Sequence, residues 1–590
     1  MTRYRTSRVS NHGVRDIGSA NVFRATAKEP YAIREEPLGT TKHVRIVGIG
    51  AGASGINMVR TLRRNLTNYE HVIYEKNEKV GGTWFENTYP GCRCDVPSHN
   101  YQFSWRRNPE WSNFFAPAAE IEQYLTRICE EEHMMDTIKT QHKVIGAWWD
   151  ENRGLWDIKV LNLGTGEEFR DQANFLVDGS GILNNWTWPD ITGIKSFQGE
   201  LIHTANWPKD FDHTNKTVAI IGNGSSGIQL LPTIQPDAKQ IYHFVRTPTW
   251  IIPPRIVSMM VMGGPAKSIL GEIEFDEGEN FSERQIERFK NDPELYRRFI
   301  KTIEKDSNAA FHLVINGGPV QAFATNKVTQ YMKTALGSDE KLCKALIPKF
   351  PLGSRRITPA PGYLEALRAP NTEVITGEIA EIVPEGIRRQ SGEVIKLDAI
   401  ICATGFDNSF TPRFPIVGRN GNIQDIMKAE TPKGYMSCAL AGVPNYFSPN
   451  APIGHGSVLT LTEHIARYIT RIIIKCQTEN IKAIAPSDAA VADYSEHIAA
   501  FMPRTAWAAP CKSWFKGGKE DGPVTALHPG SRIHFFQMLD RFRGEDWVYV
   551  YDGGASKNRF AYLGNGFAAR ELDPNQDSTW YLDEEADALL

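Results

Sequence analysis

The sequence lacks several features that would assign it to other classes of protein. Its eight cysteines are scattered along 590 residues and contain no CxxC pair, which excludes a secreted disulfide scaffold and predicts no metal site. No stretch approaches the roughly 18 consecutive apolar residues of a membrane-spanning helix, and the N-terminus lacks the apolar core of a secretory signal. We therefore expect a protein of the reducing cytoplasm without a membrane span.

The sequence also lacks an excess of charge of either sign. Its 66 Lys and Arg residues nearly balance 69 Asp and Glu residues, so we expect no nucleic-acid partner, which would require a basic face. Hydrophobic residues make up 41% and charged residues 23% of the chain, which is typical of a globular protein. At roughly 150 residues per domain, the length predicts about four domains or subdomains.

Two strand-like runs that end in a series of glycines organise the chain, and they are Val44–Val47 and Thr217–Ile221. A buried strand that turns into a helix at glycines is typical of a doubly wound α/β sheet. Between Met259 and Leu346 this pattern of strands and glycines stops, and segments such as Glu283–Lys305 are charged at helical spacing, before the strand-like segment 398–403 resumes the α/β pattern. We predict an α/β fold of two doubly wound Rossmann-like dinucleotide-binding domains with a helical insertion in the second. A packing helix is predicted over Leu459–Cys476, and loops with short helices are predicted from Ala485 onward.

The first glycine series has the spacing of a dinucleotide-binding loop, GxGxxG. Its residues are Gly50, Gly52, Ala53, Ser54 and Gly55. The glycines allow a tight turn, and the N-terminus of the following helix can meet a pyrophosphate. Glu75 follows twenty residues after Gly55, where a carboxylate can accept hydrogen bonds from both ribose hydroxyls and repel a 2′-phosphate. The pattern predicts a dinucleotide without that phosphate, which points to FAD.

The second glycine series has the same spacing and a different residue after it. Its residues are Gly222, Asn223, Gly224, Ser225, Ser226 and Gly227. Arg246 stands nineteen residues after Gly227 and is followed by Thr247. A guanidinium group can bind a 2′-phosphate in a charge-assisted pair. The pattern predicts NADPH, and a chain with both sites can move a hydride from nicotinamide to flavin.

Two other chemistries are disfavoured by the residues present. A disulfide reductase would need a redox-active cysteine pair, and Cys92-Arg93-Cys94 has neither the spacing nor the context. No HExxH or GxSxG motif occurs, and the SxxK match at Ser513–Lys516 lacks its companion motifs. Hydrolysis is therefore not predicted.

Three further motifs resemble those of type I Baeyer-Villiger monooxygenases, which are class B flavoprotein monooxygenases. The F-x-G-x-x-x-H-x-x-x-W fingerprint of that family corresponds to Phe197, Gly199, His203 and Trp207. The others are the segment from Gly81-Gly82-Thr83-Trp84 through Tyr89-Pro90-Gly91 to Asp95, and Ala403-Thr404-Gly405-Phe406-Asp407. The related flavin-containing monooxygenases usually carry Tyr or Phe at the position of Trp207. The resemblance extends over about residues 44–514 and favours the longer subclass with an N-terminal extension.

The resemblance implies a set of site residues. FAD should contact the first glycine loop together with Glu75, Thr83, Trp84, Asp95, Val96, Tyr101 and Val144. NADP should contact the second loop together with Arg246, Thr247, Arg355, Arg356 and the mobile-loop residue Trp514. Arg356 and Asp95 are the expected catalytic residues, with Arg356 stabilising anions during oxygen transfer and Asp95 orienting it. His203 is expected to couple domain movement rather than to transfer protons.

The order of the motifs along the chain predicts domain boundaries. The predicted pieces are an N-terminal extension (1–40), the first part of the FAD-binding domain (41–190), the NADP-binding domain (191–385) with its helical insertion at about 259–346, and the second part of the FAD-binding domain with a C-terminal extension (386–590).

The implied reaction is NADPH- and O2-dependent Baeyer-Villiger oxidation of a bulky, cyclic or long-chain ketone to an ester or lactone through a C4a-peroxyflavin. Heteroatom oxidation on the same scaffold and a non-catalytic flavin-binding protein are the alternatives. The expected partners are the ketone and molecular oxygen, and the protein is expected to be a monomer or a weak homo-oligomer.

Three features depart from the family pattern or lie outside it. Arg355 stands where the family commonly has Lys, so an ammonium point contact becomes a planar fork. Asp178-Gly179-Ser180-Gly181 stands where an A-x-G-type turn is common. The first 24 residues carry five arginines, at positions 3, 5, 8, 15 and 24, against Asp16, which is compatible with an organelle transit peptide or with a surface arm.

Overall fold

A computed structural model describes residues 31–253, 265–275, 278–429, 431, 433–449, 456–552 and 558–582. The arginine-rich arm lies outside these residues. The strands are β1 (Val44–Ile49), β2 (Tyr69–Tyr74), β3 (Ile138–Lys139), β4 (His142–Asp150), β5 (Leu155–Asn162), β6 (Glu168–Ala173), β7 (Phe175–Asp178), β8 (Glu200–His203), β9 (Thr217–Ile221), β10 (Gln240–Phe244), β11 (Ile251–Ile252), β12 (Thr358–Pro359), β13 (Thr372–Ile375), β14 (Ile379–Val383), β15 (Gly386–Arg389), β16 (Val394–Lys396), β17 (Ala399–Cys402), β18 (Ile416–Gly418), β19 (Gly421–Asn422), β20 (Tyr446–Phe447), β21 (Ile481–Pro486) and β22 (Trp547–Tyr551).

The α-helices are α1 (Ala53–Asn65), α2 (Thr83–Glu86), α3 (Ala118–Glu131), α4 (Ser225–Ile234), α5 (Pro265–Glu272), α6 (Glu283–Asn291), α7 (Pro293–Asn308), α8 (Phe311–Val314), α9 (Pro319–Ala335), α10 (Glu340–Leu346), α11 (Tyr363–Ala366), α12 (Ile423–Ala429), α13 (Val458–Thr478), α14 (Asp488–Phe501), α15 (Arg532–Leu539) and α16 (Ala569–Leu572). Among the residues that the structure describes, no helix is both long enough and apolar enough to cross a bilayer.

The first glycine loop belongs to a five-stranded sheet of order β20-β7-β1-β2-β3. All pairings in this sheet are parallel, and β1 and β7 are buried almost throughout. α1 follows β1 and buries Ile56, Val59 and Leu62. Because β2 and β7 lie on opposite sides of β1, a crevice opens beyond the carboxyl ends of β1 and β7, where doubly wound sheets bind nucleotides.

The second glycine loop belongs to another five-stranded parallel sheet, of order β13-β10-β9-β17-β8. α4 follows β9 and buries Ile228, Leu230, Leu231 and Ile234. Strands β10 and β17 lie on opposite sides of β9, so this sheet has an equivalent crevice beyond β9 and β17. The predicted fold class is confirmed.

The predicted boundary at residue 385 is wrong for one strand. β17 pairs in parallel with β8 and β9 of the second sheet, although the boundary assigned it to the first domain. The antiparallel sheet β14-β15-β16 lies between β13 and β17 in the sequence, yet both of these strands belong to the second sheet. The chain therefore completes the second sheet with β17 before it contributes β20 to the first sheet.

Helices α5–α10 occupy residues 265–346, within the predicted helical insertion. The charged segment Glu283–Lys305 is divided between α6 and α7 at Asp292–Pro293. Proline cannot continue a helix from its N-terminal side but is well suited to a first turn. The Asp292 side chain caps the new helix by accepting a hydrogen bond of 2.9 Å from the amide of Leu295.

The C-terminal part contains more regular structure than the sequence predicts. α13 covers the predicted packing helix, whereas the 14-residue α14 occupies a segment predicted as loops with short helices. Ser487 caps α14 by accepting a hydrogen bond of 3.1 Å from the amide of Ala490. A separate small unit combines the two chain ends, in which the amide of Leu38 donates to the carbonyl of Phe567 at 2.7 Å.

Candidate active site and nucleotide loops

Backbone packing closes the first glycine loop. Gly50 has a φ of +89°, and a Cβ atom there would lie 2.6 Å from the carbonyl oxygen of Gly179, which follows β7. A Cβ atom on Gly55 would lie 2.1 Å from the carbonyl oxygen of Gly50. The N-cap residue of α1 is Gly52, and in the described part of the chain no side chain caps this helix, so its first amides can meet an anion such as a pyrophosphate. Ala53 and Ser54 lie in this first turn.

Glu75 lies directly after β2 and is only 3% exposed. Its two carboxylate oxygens accept hydrogen bonds from the amides of Ala51 at 2.7 Å and Asn77 at 2.8 Å. Burial raises the pKa of the Glu75 carboxyl, and the two amides limit that rise. Because each carboxylate oxygen has a second lone pair, Glu75 can stabilise the loop and still accept hydrogen bonds from ribose hydroxyls.

An aromatic pair stands beside the first loop. Thr83 begins α2, and the indole Nε1 of Trp84 donates to the hydroxyl of Tyr101 at 3.2 Å. Val96 packs in the same apolar cluster as Tyr101. Val144 instead lies in β4, in a different cluster that contains residues of β1 and β2. The structure therefore groups Trp84, Tyr101 and Val96 and places Val144 apart from them.

The second glycine loop repeats the closed ends of the first but has an open middle. Gly222 has a φ of +105°, and a Cβ atom there would lie 2.5 Å from the carbonyl oxygen of Ala403, which follows β17. A Cβ atom on Gly227 would lie 2.1 Å from the carbonyl oxygen of Gly222, whereas one on Gly224 would meet no atom of the described residues within 4 Å. Asn223 is buried, and Ser225 and Ser226 lie in the first turn of α4.

Two arginines lie near each other beside the second loop. Arg246 is exposed after β10 and is followed by the half-buried Thr247. Arg355 donates from Nε to the carbonyl of Lys512 at 2.7 Å. Burial lowers the pKa of Arg355, and the positive charge of Arg246 lowers it further. A bound anion would relieve this repulsion.

Arg356 and Asp95 form a two-pronged ion pair. Nη2 of Arg356 donates to Oδ1 of Asp95 at 2.5 Å, and Nε donates to Oδ2. Burial alone would lower the pKa of Arg356, but the charge and hydrogen bonds of Asp95 outweigh it and raise that pKa. Cys94 and Tyr101 lie close enough to Arg356 to interact with it electrostatically, so the ion pair adjoins the aromatic pair of the first loop. This guanidinium remains positively charged throughout the physiological pH range.

The fingerprint residues lie along the edge of the second sheet. A Cβ atom on Gly199 would lie 2.6 Å from the ring of Phe197, so only glycine allows this packing. At the end of β8, Nδ1 of His203 accepts from the amide of Ala205 at 3.1 Å, and Nε2 lies 3.2 Å from the hydroxyl oxygen of Thr404. The fingerprint is thereby joined to the motif 403–407.

Two more aromatic contacts surround the fingerprint. The ring of His203 stacks on that of Trp186 with centroids 4.5 Å apart, and Trp207 packs edge-on against Phe211 at 5.4 Å. Burial lowers the pKa of His203 to about 4, so this imidazole is uncharged at neutral pH.

Trp514 begins a short 3-10 turn and packs on Phe515, with ring centroids 4.7 Å apart. Both belong to an apolar cluster with Met502 and Trp507. The same loop also supplies the carbonyl of Lys512 that Arg355 binds.

Sequence reasoning missed Gln229 and the role of Tyr89. The Tyr89 hydroxyl donates to Oε1 of Gln229 at 2.7 Å, and Nε2 of Gln229 donates to the carbonyl of Arg93 at 2.9 Å. The available signal was a single amide side chain inside the apolar run 228–231, since a buried polar residue needs a partner.

The fold and site together define a class of protein. Each of two parallel sheets carries a glycine loop at its topological switch point, as in proteins that bind two dinucleotides. The ion pair Arg356–Asp95 beside the first loop adds a fixed positive charge, which is suited to redox chemistry that generates anions.

Comparison with known proteins identifies the family. Residues 49–118 match the family described as an NAD(P)-binding Rossmann-like domain. The chain is 36% identical to the FAD-binding monooxygenase tazF of Aspergillus terreus, over 92% of this chain and 96% of that protein. It is 31% identical to a Baeyer-Villiger monooxygenase of Pseudomonas aeruginosa, over 85% of this chain and 90% of that protein.

A solved structure agrees with these relatives. The structure of OTEMO in complex with FAD and NADP matches with a TM-score of 0.72 at 25% identity, over 86% of this chain and 99% of that chain. The protein belongs to the family of FAD-binding monooxygenases that includes the Baeyer-Villiger monooxygenases, and it is an oxidoreductase. The resemblance noted in the sequence is confirmed.

Proposed function

We propose that the protein is an NADPH- and O2-dependent Baeyer-Villiger monooxygenase that converts a ketone to an ester or lactone. The observation that carries this proposal is the Arg356–Asp95 ion pair, formed between a loop that follows the first glycine loop and a segment of the second domain. Relatives named Baeyer-Villiger monooxygenase support the same reaction.

The residues of the first loop fit FAD. The uncapped amides of α1 can bind the pyrophosphate, and Glu75 can accept hydrogen bonds from the ribose. Trp84, Val96 and Tyr101 offer an apolar and aromatic wall for the flavin. Val144 is the weakest member of the predicted set, because it packs in a separate cluster.

The residues of the second loop fit NADPH. Gly224 leaves open space for a ligand to approach the backbone at the N-terminus of α4, and Arg246 and Arg355 can share a 2′-phosphate. Thr247 and Trp514 lie on the neighbouring segments. When bound, FAD supplies the oxygen chemistry and NADPH supplies the hydride.

In this proposal the protein contributes charge and orientation rather than a nucleophile. Arg356 provides a permanent positive charge that stabilises negative charge on the ketone oxygen as its carbonyl carbon becomes tetrahedral. Asp95 accepts two hydrogen bonds from the guanidinium, which fix the orientation of the Arg356 side chain. His203 binds Thr404 away from this pair and is not assigned a proton-transfer role.

Product analysis tests the proposal. The purified holoenzyme would be incubated with NADPH and a panel of bulky, cyclic and long-chain ketones, with a thioether alongside. We expect ester or lactone in proportion to the NADPH consumed. Sulfoxide without any ester would contradict the proposal. Bleaching of the flavin band by NADPH without any oxygenated product would support a non-catalytic flavin-binding protein.

We also infer a cytoplasmic location and a monomeric or weakly associated state. All eight cysteines are free thiols, which suits a reducing compartment. Light scattering at several protein concentrations would test the state of association.

A further inference from the structure

We propose that Gln229 is a positioning residue: its side-chain amide ties the loop 89–95, which carries Asp95, to the helix that follows the second glycine loop. This goes beyond the family assignment, because it names the contact that sets one side of the Arg356–Asp95 ion pair. Its effect on turnover rests on the proposed function, whereas its effect on the loop does not.

The amide of Gln229 pairs with the backbone of Arg93 at both of its polar atoms. Nε2 donates to the carbonyl of Arg93 at 2.9 Å, while Oε1 lies 3.4 Å from the amide nitrogen of Arg93. The same Oε1 accepts a hydrogen bond of 2.7 Å from the hydroxyl of Tyr89. Gln229 is 8% exposed and Tyr89 is 6% exposed, so water competes little for these bonds.

This arrangement requires a side chain that both donates and accepts. A glutamine amide has an acceptor oxygen and a donor nitrogen, whereas an ionised glutamate has only acceptors. An ionised carboxylate at position 229 would place an oxygen against the carbonyl of Arg93, and two acceptors repel each other. A protonated carboxyl could still donate to that carbonyl.

The loop also approaches the helix too closely to shift without cost. Gly91 has a φ of +80°, and a Cβ atom there would lie 2.3 Å from the hydroxyl oxygen of Thr233 and 2.5 Å from the carbonyl oxygen of Gln229. On the other side, Arg93 forms an ion pair with Glu279 at 2.8 Å. Arg93 is thus held by its backbone to α4 and by its side chain to the helical insertion.

These contacts hold the segment that leads to Asp95, together with the hydrogen bond of 3.0 Å from the amide of Cys94 to the carbonyl of Ala116. Asp95 lies two residues after Arg93, whereas Arg356 precedes β12, which pairs with β11 in the second domain. Tyr89 also interacts with Ser226 of the second glycine loop. A displaced loop would therefore change the ion pair and the second glycine loop together.

The test is the variant Gln229→Glu compared with Gln235→Glu. The control makes the same change at the end of the same helix, where Gln235 donates to Asn371 at 2.6 Å within the second domain. Hydrogen–deuterium exchange of the peptide that covers residues 90–96 would be measured from pH 5 to 9, always as a ratio to the wild-type holoenzyme at the same pH. Ester formed per NADPH consumed is the second readout.

We expect the exchange ratio of Gln229→Glu to approach one at low pH, where the carboxyl is protonated. It should rise by about tenfold at high pH, the factor expected from losing one buried hydrogen bond. Ester per NADPH should fall over the same pH range, while Gln235→Glu follows the wild type in both measurements.

A second variant keeps the test decisive if Gln229→Glu folds poorly. Tyr89→Phe removes the hydrogen bond to Oε1 and leaves both contacts to Arg93, so its exchange ratio should rise by only a few-fold and should not depend on pH. An unchanged ratio in Tyr89→Phe, or a pH-independent ratio in a folded Gln229→Glu, would overturn the proposal. If the wild type forms no ester, the proposed function fails, while the exchange experiment still tests the role of Gln229.

Discussion

The two glycine loops share the same closed ends. In each loop the first glycine lies against a carbonyl from the strand across the crevice, Gly179 in one case and Ala403 in the other. In each, a Cβ atom on the last glycine would lie 2.1 Å from the carbonyl oxygen of the first. The ends of GxGxxG are therefore required by the packing of the protein itself, before any ligand is considered.

The two loops differ at their middle glycine. They also differ at the residue that follows the next strand of each sheet, β2 in the first and β10 in the second. The Cβ position of Gly52 lies 3.5 Å from the Cα atom of Gly82, whereas that of Gly224 has no neighbour within 4 Å among the residues that the structure describes. Glu75 is buried and bound by two backbone amides, whereas Arg246 is exposed. The first site is enclosed and preorganised, which suits a cofactor that remains bound, and the second is open, which suits a nucleotide that exchanges.

The most direct test of this difference is to add a methyl group to the last glycine of each loop. We expect Gly55→Ala to lose most of its FAD, because its Cβ atom would overlap the carbonyl oxygen of Gly50. We expect Gly227→Ala to keep FAD but to raise the KM for NADPH by about tenfold or more, equivalent to about 1.4 kcal/mol of binding energy. The ratio of FAD absorbance to protein absorbance and steady-state kinetics would measure these effects.

Gly271→Ala in α5 is the control, since a Cβ atom there meets nothing within 4 Å. Equal loss of FAD from Gly55→Ala and Gly227→Ala would show that the two loops do not serve separate ligands.

Arg356→Ala tests the positive charge that is proposed to act at the reacting centre. Ester formation should fall by about 100- to 1000-fold, because preorganised charge is lost from the reacting centre. FAD content should change little, since Arg356 hydrogen-bonds to Asp95 and not to the first glycine loop or to Glu75, which are proposed to hold the pyrophosphate and the ribose. Arg153→Ala, which removes an exposed arginine paired with Asp150 at 2.6 Å, is the control. Unchanged ester formation in Arg356→Ala would exclude the proposed role of this residue.

Arg246→Ala tests the open site alone. The loss of a charge-assisted contact to the 2′-phosphate should cost about 1.5–3 kcal/mol, or roughly 10- to 150-fold in the KM for NADPH. The KM for NADH should change little, and Arg246→Lys should recover part of the affinity because it keeps the charge. An equal rise in the KM for NADPH and for NADH would mean that Arg246 does not bind the 2′-phosphate.

Local patterns made the two loops predictable from the sequence. The glycine spacings, Glu75 and Arg246 all lie within about 30 residues of the strand that positions them, so the strand–loop–helix geometry can be inferred without tertiary contacts. Asp95 and Arg356 are 261 residues apart, and only the family resemblance brought them together in the prediction.

The contacts between distant segments could not be predicted. Gln229 pairs with Arg93, 136 residues away, and nothing in its own neighbourhood specifies that partner. β17 was assigned to the wrong domain for the same reason, because a short buried strand can join either sheet with equal local propensity. In α14, the polar residues between the apolar ones masked a helix that its cap at Ser487 stabilises.

Of the variants considered, His203→Gln, at the edge of the second sheet, is expected to change turnover at neutral pH the least. Burial lowers the pKa of His203 to about 4, below the roughly 6.5 of an unfolded chain. Between these values the unfolded state binds the proton more readily, so this histidine destabilises the fold as the pH falls from 6.5 to 4. At pH 5 the resulting loss in the free energy of unfolding amounts to about 2 kcal/mol.

His203→Gln keeps an amide that can donate to Thr404 but does not titrate, so its free energy of unfolding should fall less than that of the wild type between pH 7 and 5. Urea denaturation of both proteins at each pH would measure this, and equal falls would mean that His203 is protonated in the folded state.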